Sequence, residues 1–215
     1  MTSRPSASAA KAVPLPAVTG GLLTGDAARS LEGGASFSLA NRIYRLTWGI
    51  AWLLLAAWTP PPMHRWRCFV LRLFGARVGH EVRLYGSARI WSPANLVLGD
   101  HAAIGRDAII YSMGPIVFED YAVVSQGAHI CAGTHDVGDF HFQLLARPVR
   151  ICTRAWIAAE AFVGPGVTVG EGAVLGARGC AMRDLDPWTI YSGNPAQPIR
   201  ARHLRNGPPA APAAK

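Results

Sequence analysis

Three of the chain's seven histidines fall at a spacing of six: His129, His135 and His141. His135 sits in Thr134-His135-Asp136, inside the segment CAGTHDVGDFHFQLLARPVR, residues 131–150. A neutral imidazole titrates near physiological pH, which suits it to take the proton of a hydroxyl as that oxygen attacks an electrophile. His135 is therefore the candidate base, with His129 and His141 as the runners-up. Asp136 either orients the imidazole, touches the hydroxyl-bearing molecule, or is a solvated loop carboxylate. The residues alone leave that choice open.

The elements that must position this segment are read from the text on either side of it. From Val78 onward an aliphatic or large apolar residue recurs at every sixth position: Val78, Leu84, Ile90; Leu98, Ile104, Ile110; Phe118, Val124, Ile130; and, after the segment, Ile151, Ile157, Val163, Val169, Leu175. Four residues after most of these stands an alanine, from Ala88 and Ala94 through Ala102, Ala108, Ala122, Ala128, Ala155 and Ala161 to Ala173, and Gly frequently follows the aliphatic directly. A period of six fits neither an amphipathic helix nor a two-sided strand. It fits a solenoid whose coil is a triangle of short strands, one hexapeptide per side, with the aliphatic filling the interior. The register predicts five coils, interrupted once, by the segment that carries His135. A coil has no structural need for such an excursion, and long loops on rigid scaffolds tend to carry function.

The remainder divides cleanly. Residues 1–36 and 205–215, rich in Ala, Pro and Gly or Ser, read as a disordered leader and tail. Residues 37–75 read as a helical, Trp/Arg-rich extension that breaks at Pro60-Pro61-Pro62. Its stretch Leu46–Trp58 is apolar nearly all round, yet short of the ~20 residues that span a bilayer. Either it lies at an anionic lipid surface, giving the chain a peripheral membrane contact, or it packs on the solenoid or a neighbouring subunit. The solenoid is expected over 76–187, with a C-terminal segment at 188–204.

Composition narrows the function classes. Half of the 215 residues are apolar and 16% are charged, which excludes a wholly disordered chain. A net charge of +8 implies an anionic partner. Nucleic acid is set aside, because the arginines are scattered among Trp and Leu with no recognition motif. The four cysteines form no CxxC pair and read as small apolar residues of a reducing compartment. The first thirty residues show no basic-then-apolar secretory pattern, so a cytoplasmic location is expected, at the inner face of the membrane if the extension binds lipid.

The run AWIAAEAFVGPGVTVGEGAVLGARGCAMRDLDPWTIYSGNPAQPIR, residues 155–200, resembles the C-terminal signature of the hexapeptide-repeat acyltransferases. Within them, FSLANRIYRLTWGIAWLLL, RLFGARVG and the T-H-D loop are similar to the colanic acid biosynthesis acetyltransferase group. The resemblance implies an all-β solenoid, a left-handed parallel β-helix with an N-terminal helical extension. It implies acetyl-CoA as co-substrate, without a metal, and a hydroxyl acceptor on a sugar of an exopolysaccharide or its lipid-linked precursor. It also implies a homotrimer with the site between two prisms.

Carried onto this sequence, the resemblance makes His135 the catalytic base and places Trp156 beside the acceptor, with Asp136 near it. Ala159 and Ala177 are expected to bind the cofactor through backbone N–H groups, and Met182, Arg183 and Arg200 to lie along it. Met182 departs from the family's Thr and lacks its hydroxyl. Arg183, Arg200 and Arg202 are candidates for the coenzyme A phosphates. The alternatives are another small hydroxylated acceptor, antibiotics included, and a non-catalytic scaffold. A γ-type carbonic anhydrase would need three histidines on zinc, but six residues carry the chain to the next side of the triangle, so His129, His135 and His141 are not offered on one face.

Overall fold

A computed structural model describes residues 36–205; the leader and tail read from the sequence lie outside these residues but for one position at each inner edge. The solenoid is present, as a left-handed parallel β-helix. Its first coil comprises β1 (Arg77–Val78), β2 (Arg83–Leu84) and β3 (Arg89–Ile90). The second comprises β4 (Leu96–Leu98), β5 (Ala103–Ile104) and β6 (Ile109–Tyr111). The third comprises β7 (Ile116–Phe118), β8 (Val123–Val124) and β9 (His129–Cys131). An antiparallel hairpin of β10 (Gly133–His135) and β11 (Leu144–Ala146) then leaves the prism. The fourth coil comprises β12 (Val149–Ile151), β13 (Trp156–Ile157) and β14 (Phe162–Val163). The fifth comprises β15 (Thr168–Val169), β16 (Val174–Leu175) and β17 (Cys180–Ala181).

The expected five coils are followed by part of a sixth. Leu185 bridges to Val169, β18 (Thr189–Ser192) extends the second face beyond β16, and β19 (Gln197–Ala201) turns back antiparallel to close that sheet. The period of six is the stacking register itself. Val78, Leu98, Phe118, Ile151 and Val169 form one column, paired coil to coil. Leu84, Ile104, Val124, Ile157 and Leu175 form the second. Ile90, Ile110, Ile130, Val163 and Ala181 form the third. All of these are buried except Val78, which packs at the margin of the core. Burying one such side chain contributes roughly 1.5–3 kcal/mol over leaving it exposed.

The corners show two features that the spacing does not reveal. Ala94 is exposed, because it lies in a 3-10 turn, Pro93–Asn95, inserted between the first and second coils. The glycines that follow the aliphatics do not make the turns. A Cβ at Gly99 would sit 2.6 Å from the Asp120 amide nitrogen of the next coil, so the residue is there for close approach. The turn is made two residues later. Glu81, His101, Asp107, Tyr121, Arg154, Glu160, Arg178 and Trp188, each third after an inward aliphatic, adopt φ between 50° and 60°. That left-handed turn aims the residue's N–H along the stack: His101 donates to the His80 carbonyl at 2.9 Å and Tyr121 to the Asp100 carbonyl at 2.8 Å.

The extension forms two helices. α1 (Leu39–Trp52) starts at Ser38, whose Oγ accepts the Asn41 N–H at 3.2 Å, and runs on as a π-helical turn over Leu53–Ala57. α2 (His64–Leu73) follows the triple proline. One side of the pair packs on the first coil. Trp48 is buried there and donates its indole N–H to the Ile90 carbonyl at 2.7 Å, while Trp52 reaches the Gly86 carbonyl at 3.1 Å.

Arg67 of α2 is fully buried and donates to the carbonyls of Leu84, Thr59, Pro60 and Pro61 and to the Thr59 hydroxyl. A planar guanidinium can serve several acceptors at once, so this one side chain ties the triple-proline break to the prism. Its burial lowers the guanidinium's pKa from the usual range. Among the described residues no helix is long and apolar enough to cross a membrane.

Candidate active site

The hairpin that interrupts the stack holds His135 at the end of β10, opposite Leu144 of β11. The His135 Nδ1 lies 2.9 Å from the carbonyl oxygen of Phe142, and the two rings stack with centroids 4.3 Å apart and planes 12° from parallel. A carbonyl oxygen only accepts, so Nδ1 carries the proton and Nε2 is left with its lone pair. The imidazole is thus held in the tautomer that a general base requires. Phe142 reaches this position with φ of 51°, at the bend of the loop.

Asp136 does other work. Its Oδ1 accepts the Gly138 N–H at 3.0 Å, and its own N–H donates to the Gln143 carbonyl at 2.8 Å. This closes an Asx-type turn that shapes the hairpin end. The hydrogen-bond partner of the imidazole Nδ1 is the Phe142 carbonyl.

On the second face of the prism a groove of about 610 Å³ gathers Trp156, Ala159, Ala177, Arg200 and Arg202, with Ser125, Gln126 and Ile190. Trp156 is 43% exposed and donates its indole N–H to Ser125 Oγ at 2.9 Å, so the ring lies along the outside of the coils. Ala159 and Ala177 occupy equivalent corners, two residues after Ile157 and Leu175. Among the described residues no carbonyl takes either of their N–H groups. The contrast with another corner explains why. There the N–H groups of His80 and Asp100 are taken by the carboxylates of Asp100 and Asp120 at 2.7 and 2.8 Å, whereas an alanine stacked above a corner cannot do the same.

The other two residues expected along the cofactor lie elsewhere. Met182 and Arg183 border a separate groove of about 400 Å³ with Tyr191 and Pro195. They stand at the corner that follows β17, the corner from which the His135 hairpin emerges after β9. A Cβ at Gly164 would meet the Met182 sulfur at 2.7 Å, so the thioether fills the space over that glycine. Arg202 donates to the carbonyls of Arg154 and Gly172 at 3.0 and 2.9 Å and thereby pins the segment after β19 to the prism. Arg200, exposed on β19, also lines the groove, and its Nη1 makes one long bond, to the Ala201 carbonyl at 3.4 Å.

The runner-up histidines have other surroundings. His129 belongs to β9 in the third face, where its ring meets Phe162 edge-on at 5.2 Å. Burial, and to a lesser degree Arg89, hold its pKa below the usual imidazole range. His141 lies in the loop, its N–H taken by Asp139 Oδ1 at 2.7 Å. Among the described residues no three His, Cys, Asp or Glu side chains gather where a metal ion could be held.

No family model matches the chain. It is, however, 40% identical over 166 residues to the Escherichia coli (strain K12) protein that bears the name colanic acid biosynthesis acetyltransferase WcaF, covering 77% of this chain and 91% of the relative. The chain belongs to the hexapeptide-repeat acetyltransferases. Two solved structures share the acetyltransferase's fold. A maltose O-acetyltransferase from Clostridium difficile 630 superposes with a TM-score of 0.71 at 21% identity, over 85% of this chain and 100% of that one. A hexapeptide-repeat acetyltransferase from Vibrio cholerae, complexed with acetyl coenzyme A, gives 0.70 at 20% identity over 82% and 98%.

Some residues of the acetyltransferase's candidate site are silent in the sequence. Phe142 follows His135 by seven positions with no periodic relation to it, and Ser125 comes from a coil below Trp156. Only the antiparallel return of β11 and the stacking of β13 on β8 bring these pairs together.

Proposed function

We propose that this acetyltransferase moves acetyl from acetyl-CoA to a hydroxyl of a sugar, in an exopolysaccharide or its lipid-linked precursor, with His135 as the general base. The observation that carries the reading is the Nδ1–H bond from His135 to the Phe142 carbonyl, which leaves Nε2 as the acceptor. Nε2 takes the hydroxyl proton while the oxygen attacks the thioester carbonyl carbon. A tetrahedral oxyanion forms and calls for a backbone N–H donor. The C–S bond then breaks, and the imidazolium returns its proton to the departing thiolate. No covalent acyl-enzyme is required.

The groove on the second face supplies a track for the pantetheine arm, through the open N–H groups of Ala159 and Ala177, with Arg200 near the phosphates. Trp156 at the groove edge would flank the acceptor. His135 emerges from a different corner of the prism than this groove, so one chain does not bring them side by side along its own surface. That separation favours a homotrimer in which the hairpin of one subunit meets the groove of the next; Met182 and Arg183, at the hairpin's corner, would then approach the cofactor from the base's side. The sugar acceptor rests on the names of the relatives, a colanic acid biosynthesis enzyme and a maltose O-acetyltransferase. A cytoplasmic location accords with Cys68, Cys131, Cys152 and Cys180, all free thiols.

The deciding experiment is a thiol-release assay with acetyl-CoA against a panel of mono- and oligosaccharides, lipid-linked glycans and non-sugar alcohols. Release that depends on a saccharide acceptor is the expected result. Release with a non-sugar hydroxyl and none with any saccharide would overturn the acceptor class.

A further inference from the structure

One face of the helical pair packs on the first coil; the other is apolar and meets nothing among the described residues. In α1 and the turn after it, Leu39, Ile43, Leu46, Ile50 and Leu53 recur at the spacing of one helix stripe, and all are exposed. Leu46 and Leu53 are each 65% exposed and Trp58, at the end of the turn, 72%. Trp66, Phe69 and Leu73 continue the exposed face on α2. An amphipathic helix normally buries such a stripe, and contiguous exposed apolar surface of this kind marks a contact site.

Charge identifies the occupant. From position 39 to position 80 the chain holds Arg42, Arg45, Arg65, Arg67, Arg72 and Arg77 and not a single Asp or Glu. Arg42 and Arg65 are exposed beside the stripe, next to Ile43 and Trp66. A second copy docked face to face would set these cations against one another with no carboxylate in the segment to pair with. An anionic lipid surface meets both needs, taking the apolar side chains among its acyl chains and the guanidinium groups at its phosphates. The indole N–H groups of Trp58 and Trp66 are already satisfied by the carbonyls of Leu54 and Leu55, both at 2.7 Å, so neither ring brings an unpaired donor into the interface.

We infer that the outward face of α1 and α2 docks the protein on an anionic membrane surface, lying in the interface plane rather than crossing the bilayer. The docked end is the first coil. The hairpin with His135 leaves after the third, two coil spacings or about 10 Å further along the stack. The inference does not rest on the acceptor proposed above, and its test involves no turnover.

The full chain would be sedimented with vesicles of phosphatidylglycerol and phosphatidylcholine in equal parts, and with phosphatidylcholine alone. Binding to the anionic vesicles is expected to exceed binding to the neutral ones by about tenfold and to weaken as salt is raised. The double variant Leu46→Glu/Leu53→Glu, at exposed positions, should lose about tenfold or more while its circular dichroism and thermal unfolding stay those of the parent. Arg42→Glu/Arg65→Glu should erase the preference for anionic vesicles. No sedimentation with the anionic vesicles would overturn the inference. So would binding that survives both double variants, or a loss of oligomeric order by light scattering in Leu46→Glu/Leu53→Glu, which would assign the face to a second copy.

Discussion

His135 and Phe142 hold each other twice: the imidazole Nδ1–H donates to the Phe142 carbonyl at 2.9 Å, and the rings stack 4.3 Å apart. The first contact sets the tautomer and the second restrains the ring's tilt. The two can be separated experimentally, because a substitution at 142 removes the stack and keeps the carbonyl. His135→Ala should lower kcat by at least about a hundredfold with unfolding and coenzyme A binding unchanged. Phe142→Ala should cost about three- to tenfold in kcat, the worth of one aromatic contact, with little change in KM for acetyl-CoA. Steady-state thiol release checks both, and near-parental turnover in His135→Ala would remove the base from the mechanism.

Arg200 lines the groove with one long bond, from Nη1 to the Ala201 carbonyl at 3.4 Å, whereas Arg202 spends its guanidinium on the carbonyls of Arg154 and Gly172. Arg200→Glu should raise KM for acetyl-CoA about tenfold, with the defect shrinking as salt screens the pair. Dephospho-coenzyme A derivatives should show a smaller difference between the parent and the variant. An unchanged KM would move the phosphates elsewhere.

Two glycines offer opposite outcomes from the same substitution. At Gly99 a Cβ would stand 2.6 Å from the Asp120 nitrogen, backbone that the next coil holds in place; at Gly49, on the open side of α1, nothing lies within 4 Å. Gly99→Ala should destabilise by about 2 kcal/mol or more, and Gly49→Ala should stabilise by about 0.5–1 kcal/mol. Denaturant unfolding of the two variants reads both signs.

His129 supplies the pH dependence. Its ring is half-buried in the third face, its Nε2 has no hydrogen-bond partner among the described residues, and burial holds its pKa below the unfolded value. Between the folded pKa and the unfolded value near ~6.5 the unfolded chain binds the extra proton, so stability rises with pH across that window and is lost as pH falls through it. Thermal unfolding from about pH 8 to about pH 5 should therefore show a falling midpoint, and His129→Phe should flatten part of that fall. A parallel fall in the variant would assign the acid sensitivity to other groups.

The fold was open to reading because its rule is local and repeated. Within each coil the inward positions are marked by an aliphatic or large apolar residue six from the last, two corners add two residues each, and the one long gap, from Ile130 to Ile151, marks the hairpin that carries His135. Ala159 and Ala177 come from the family resemblance, and they occupy equivalent corners of successive coils. Ala94 misleads because a two-residue insertion shifts its place in the coil, and the spacing of six holds on both sides of the shift. The glycines after the aliphatics do not by themselves show their purpose, because one residue type answers two needs, a left-handed turn and a close approach; at Gly99 the need is close approach, and the turns fall to residues such as His101 and Tyr121.

The sequence of the extension admits two alternatives, packing or lipid, and the three-dimensional structure divides it between two faces. Trp48 and Arg67 go inward to serve coil carbonyls, while Leu46, Leu53 and Trp58 stay outside. Nothing in a run of Trp, Leu and Arg says which acceptors lie across the interface. The sequence alone thus determined the prism and its interruption, because stacking energy repeats at a fixed interval, and it offered His135 as the candidate base. Only the tertiary structure decided what holds that base, which N–H groups stay open, and which side of the helices faces outward. Those outcomes depend on groups far apart in the chain that meet only when coils stack and the hairpin closes.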